Sequence, residues 1–186
     1  MTTTIDTPNL DLNELIKGLR REDDRNMHLT NRFKWLMWIF APLYFIFFII
    51  LLYEGKSILK EIGFFFFSAS FLFFAIVLRN LNNEYKSIDY GLPTTDMLRK
   101  AAQRYEIWQT KTIKAMSPAF LAAIGVSLSS QEMIPNIDDT KIRIALVFVA
   151  YLLLLCIAFG IGYLIWRKRQ KPLRDHALLL LAELEK

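Results

Sequence analysis

The chain has 186 residues, 54% of them hydrophobic, and a formal net charge of +5. Its apolar mass is gathered in four runs that contain no Asp, Glu, Lys, Arg or His. This excludes an ordinary soluble domain, because a buried core helix accounts for one run of about 10–14 residues, not four longer ones in so short a chain. The one cysteine, Cys156, excludes an intrachain disulfide and reads as a small apolar residue mid-way along the fourth run.

Residues 1–34 come first and are mostly polar. Thr7-Pro8 suits a turn, and Asp11 with Glu14 three residues on suits a capping box. Leu12, Leu15, Ile16 and Leu19 then recur at helical spacing, so this segment reads as a cytoplasmic helix that runs toward the first span. Gly18 weakens that helix slightly.

The four runs are residues 35–53, 62–78, 115–131 and 144–166, with 19, 17, 17 and 23 residues. At about 1.5 Å of rise per residue, even the shortest covers most of a hydrocarbon core about 30 Å thick. The expected fold is therefore all-α: a polytopic membrane protein with four transmembrane helices over residues 35–166 and helical cytoplasmic extensions. The first run ends without a small-residue cleavage pattern and reads as a retained anchor, not a cleaved signal. Pro42 and Pro118 are expected to kink their helices. Ala115, Ala119, Ala123 and Ser127 repeat at four-residue spacing, and Ala158 and Gly162 are again four apart. Such small residues let helix backbones approach, so these six are the expected helix-packing positions, with the Phe-rich surfaces of the first two spans turned to lipid.

Between the second and third spans, residues 79–114 read as a cytoplasmic helical hairpin. Asp89-Tyr90-Gly91-Leu92-Pro93 is its turn, and Thr95 caps a helix that carries Met97, Ala101, Tyr105, Trp108 and Thr112 on one face and leads into span three. Residues 167–186 form an amphipathic tail. Pro172 interrupts it, and Leu173, Ala177, Leu180, Leu181 and Leu184 line one stripe. The stripes have three readings: packing against one another, docking a partner through Tyr105, Trp108, Leu180 and Leu184, or lying flat in the headgroup region.

Orientation follows from the basic residues. Nineteen lie in the N-terminal segment, the middle connection and the tail, and four lie in the other two connections. Cytoplasmic loops are enriched in Lys and Arg, so both termini are expected on the cytoplasmic side, and Arg167-Lys168-Arg169 is a sharp stop after the last span. The same basic surface suits anionic lipid as well as topology.

No ionisable group lies within the spans, where ion and proton routes usually show one. His28 and His176 belong to no metal-ligand or acid–base spacing, and Asp138-Asp139 is a weak cation signal by itself. The expectation is a non-enzymatic membrane anchor or regulator that works through its cytoplasmic helices, without catalytic, metal or cofactor residues. Its partners would be the lipid bilayer and either a cytoplasmic protein or a second copy, and not nucleic acid. The alternative is a small channel or transporter component, for which the serine-bearing face of the third span is the available polar route. The stretch Leu10-Asp11-Leu12-Asn13-Glu14-Leu15, followed by a charged helix and a span, resembles the start of small bacterial membrane proteins encoded beside extracytoplasmic-function sigma factors. The resemblance covers about 45 residues, carries no chemical motif, and implies a bacterial inner-membrane regulatory partner.

Overall fold

The computed structural model describes residues 12–55, 57–107, 110–134 and 136–185, with the side chains of 110–113 and 115 left out. The Thr7-Pro8 turn, the Asp11 cap and Trp108 therefore lie outside the described residues. Among the described residues there are five α helices and no strand: α1 (Leu12–Glu54), α2 (Ile58–Lys86), α3 (Thr94–Arg104), α4 (Thr110–Ser129) and α5 (Thr140–Leu184), with a single 3-10 turn at Gln131–Met133. Three of them, α1, α2 and α5, are long and apolar enough to cross a membrane. The third apolar run is shorter than expected as a helix: its apolar part is Met116–Ser129, because Gln131 already belongs to the 3-10 turn.

Helices α1 and α2 form an antiparallel pair closed by Gly55, whose φ of 62° lies in the left-handed region that a glycine adopts without strain. Two side chains fix the register. Ser68 Oγ donates to Ala41 O at 2.9 Å, and Asn82 Nδ2 donates to Met27 O at 3.0 Å. Part of the Phe-rich surface is therefore not turned outward. Tyr44 of α1 sits among Phe64, Phe67 and Phe71 of α2 at ring distances of 6.1, 4.8 and 5.1 Å, while Phe65 and Phe73 remain exposed. Aromatic rings interlock favourably when tilted, edge-on or offset-stacked, and these four form one seam between the helices.

Helix α4 lies antiparallel on α2. Ala119, Ala123 and Ser127 are buried in this contact as the spacing implies, together with Ala122. The side chain of Ala115 is not described. At the crossing the two backbones touch: a methyl carbon placed on Gly63 would lie 2.6 Å from Ser129 N, and one on Gly125 would lie 2.8 Å from Phe67 N. Farther along, Ser70 Oγ donates to Pro118 O at 2.7 Å. Each buried serine thus satisfies a backbone carbonyl, as apolar surroundings require.

None of the three internal prolines ends its helix. Pro118 removes the N–H that would reach Lys114 O, and Ser117 Oγ supplies the replacement donor at 2.8 Å. Pro172 was expected to interrupt the tail, yet α5 runs through it as one 45-residue helix. The opposite correction applies to the middle connection. No continuous helix joins residues 95–114; α3 ends at Arg104, and α4 starts afresh at Thr110. Pro93, not Thr95, sits at the cap position of α3.

Ala158 and Gly162 of α5 take no part in packing within the chain. Both are exposed, and a methyl carbon at Gly162 would meet nothing within 4 Å. Asp139 caps α5 by accepting from Lys141 N at 2.8 Å, which is the ordinary role of an aspartate at that position.

Candidate functional site

The polar end of the molecule is a helical head. Leu15 and Leu19 of α1, Met97, Leu98, Ala101 and Ala102 of α3 with Tyr105 just after it, and Ala177 and Leu180 of α5 form one buried cluster. Leu12, Ile16, Leu173 and Leu181 pack around it. Of the three readings of the amphipathic stripes, this is mutual packing. Tyr105 and Leu180, expected as docking positions, are 2% and 8% exposed and belong to the core; Leu184 is exposed. Each stripe finds the others because α1, α2 and α5 continue without a break from the apolar bundle into the head, which places three helix ends side by side.

The apolar stripe of α1 at Leu15 and Leu19 continues, four residues on, into a carboxylate. Asp23 is 4% exposed and is surrounded by donors. Tyr105 Oη donates to its Oδ1 at 2.7 Å. Tyr90 Oη and Arg104 Nη1 both donate to its Oδ2 at 2.5 Å. Tyr90 is carried by the turn after α2, where Gly91 N donates to Asp89 Oδ1 at 2.8 Å, and the guanidinium of Arg20 lies 4.9 Å from the centre of its ring. Beside this group Glu22 pairs with Arg25, and Trp166 Nε1 of α5 donates to Tyr105 O at 2.8 Å. One carboxylate thereby ties together α1, the connection from Tyr90 to Tyr105 and, through Trp166, α5.

The chemistry of this centre is that of a lock. The Asp23 oxygens are filled by hydroxyl and guanidinium donors, and two of those donors' residues, Tyr90 and Arg104, also line the larger cavity beside it. Burial, followed by the hydrogen bond to Asp23 and its negative charge, pushes the Tyr90 phenol well above its ordinary value. Burial, the charge and then the hydrogen bond do the same for Tyr105. The neutral phenols are thus the form the fold favours. Their contribution is complete below the unfolded tyrosine value of about 10 and is lost as pH rises past it. Tyr85, near the end of α2, is likewise pushed up to about 12 by burial and then by the charge of Asp23, so a spectrophotometric titration of the detergent-solubilised chain should show three head phenols, Tyr85, Tyr90 and Tyr105, that ionise late. Tyr105→Phe should remove one of them from that late phase.

Around the lock the surface is grooved. A cavity of about 760 Å³ opens between the end of α2, the turn and α3, where Glu84, Asp89, Lys100 and Glu106 mix both signs of charge. A smaller one of about 310 Å³ lies between α3 and α5, with Leu178 and Leu181 flanked by Arg99 and Arg174. Among the described residues no group of three or more His, Cys, Asp or Glu side chains is placed to hold a metal ion. His176 is half-buried on α5 and His28 is exposed on α1.

Sequence reasoning did not single out Asp23, Tyr90 or Arg104, nor Gly63 and Gly125 at the helix crossing. The signal for Asp23 was present: an acid at the next position of an apolar stripe needs partners on whatever covers the stripe. No protein-family model, curated protein or solved structure matches the chain.

Proposed function

We propose that the chain is a four-span membrane protein with its head and both termini in the cytoplasm, and that it acts as a non-enzymatic anchor or regulator through that head. The observation that carries this reading is mechanical: α1 and α5 run as single helices of 43 and 45 residues from the apolar bundle into a head locked at Asp23. A head held this way has a fixed position and orientation relative to the membrane, which is what an anchoring protein provides.

Helix α4 supplies the fourth span. Its apolar part, Met116–Ser129, rises about 21 Å, shorter than the other three, and its small face is covered by α2 down to backbone contact. An even number of spans returns both termini to one side, and the uneven distribution of basic residues makes that side the cytoplasm. The sigma-factor-associated resemblance points to a bacterial inner membrane and to a regulatory partner. The partner surface is the outside of the head, where Leu178, Leu179 and Leu184 are exposed, since Tyr105 and Leu180 are occupied within it.

Reporter fusions at Lys186 and at Gly55 should register opposite sides of the membrane, with Lys186 inside. A Lys186 fusion active only outside reverses the topology. Photo-crosslinkers at Leu179 and Leu184 should capture the same cytoplasmic protein, whereas one at Phe73 should capture none. Ion or solute flux through the purified protein in liposomes would overturn this reading in favour of a transport component.

A further inference from the structure

Tyr90 and Arg104 face two ways. On one side both donate to Asp23 Oδ2 at 2.5 Å. On the other both line the cavity of about 760 Å³ between the end of α2, the turn and α3. The lock is therefore one wall of an open space, and the space has the volume of a small-molecule site, commonly about 300–1,000 Å³.

The remaining walls say what fits. Ile88 and Leu92, half-buried, with Met97 and Ala101, buried, give the cavity an apolar side. Asp89 and Glu106 line it as exposed carboxylates. Asp89 spends one oxygen on Gly91 N, and Glu106 has no ion-pair partner among the described residues. Glu84 adds a third negative charge. Against these stand the guanidinium of Arg104, already committed to Asp23, and the exposed ammonium of Lys100. We propose that this cavity binds a small organic cation, an ammonium group on an apolar body. The body lies along Ile88, Leu92 and Met97, and the ammonium pairs with Asp89 and Glu106. An anion in the same place would meet three carboxylates and have Lys100 alone to hold it.

Bound there, the cation bridges the turn that carries Tyr90 to the end of α3 that carries Arg104, and so braces the lock from outside. Only the folded head presents this arrangement, so the ligand stabilises the head by mass action. The inference goes beyond anchoring, because it gives the head a chemical input, and it is independent of which side of the membrane the head occupies.

The test compares thermal melts of the full chain, in neutral detergent, with phenethylamine, phenylacetate or phenethyl alcohol, which share an apolar ring and differ in charge. The melt should rise with phenethylamine concentration and respond to neither of the others. Asp89→Asn with Glu106→Gln should leave the ligand-free melt near the parent's, since asparagine still accepts from Gly91 N, and should weaken the amine about tenfold, as expected for two solvated ion pairs. Partition of the amine into micelles is common to parent and variant, so the difference between them reports the cavity. Lys100→Gln should tighten the amine. Tyr90→Phe keeps the ring in the wall but frees the turn from Asp23, and should weaken it. Protection by phenylacetate or the alcohol equal to that by the amine overturns the proposal, as does no protection by the amine. An amine response unchanged in the Asp89/Glu106 double variant, or weakened by Lys100→Gln, overturns the site. An unchanged response in Tyr90→Phe overturns its coupling to the lock.

Discussion

Replacing Asp23 by Asn should lower the stability of the head by about 3–5 kcal/mol, the largest effect expected from any single polar change in this chain. Three donors converge on that carboxylate from two other segments, and Arg104 is its charged partner, with a side chain only 13% exposed. Asparagine keeps one acceptor oxygen but turns an NH2 group toward donors, and it leaves the guanidinium buried without a counter-charge. The cost arises mainly from that orphaned charge, which gives the prediction a second arm. Arg104→Met placed on top of Asp23→Asn should recover part of the loss, although two polar bonds are then gone instead of one. Thermal melts or graded denaturant titrations of the detergent-solubilised protein measure both arms. If the double variant is no better than the single, the centre is held by its tyrosine bonds and not by the ion pair.

What the sequence conveyed, and what it did not, divides along the range of the forces. The apolar runs identified α1, α2 and α5 because each helix answers to its own composition. The period of Leu12, Leu15, Ile16 and Leu19 was legible for the same reason, as was the Asp89–Pro93 turn. The small-residue stripe at Ala119, Ala123 and Ser127 was legible because a helical face is a local property. What covers a face is not local. Ala158 and Gly162 share the spacing of that stripe, yet they are exposed, since spacing on one helix does not bring a neighbour to it. For Tyr105 and Leu180 mutual packing, docking and lying flat all remain open in the sequence, because nothing in their own helices announces that α1 brings Leu15 and Leu19 to meet them. The break after Arg104 and the passage of α5 through Pro172 ran against local expectation. Packing of α3 and α5 on α1 decides the second, since a helix tolerates one lost bond when its face remains buried. Asp23 was missed because a charge in an amphipathic helix is read as solvated unless its partners, here 67 to 82 residues away, are known.

The other large effect belongs to the crossing of α2 and α4. Gly63→Ala and Gly125→Ala should each cost about 1–3 kcal/mol, although each adds only one methyl group. At Gly63 that methyl would meet Ser129 N at 2.6 Å and Gly125 O at 2.9 Å; at Gly125 it would meet Phe67 N at 2.8 Å and Gly63 O at 2.9 Å. These neighbours are backbone atoms, so no side-chain rotation relieves the overlap, and the helices must part. Parting them loosens the close packing of Ala122 and Ala123 and stretches the bond from Ser70 to Pro118 O, for which a buried hydroxyl has no water to substitute. Gly160→Ala on α5 is the matched control. Its added methyl meets nothing within 4 Å, so its melt should not fall below the parent's and should gain up to about 1 kcal/mol of helix propensity. A destabilised crossing pair beside an undamaged control would show that α4 is bound to α2 by backbone contact at this crossing. Equal indifference at all three glycines would remove the packing argument for α4 as the fourth span.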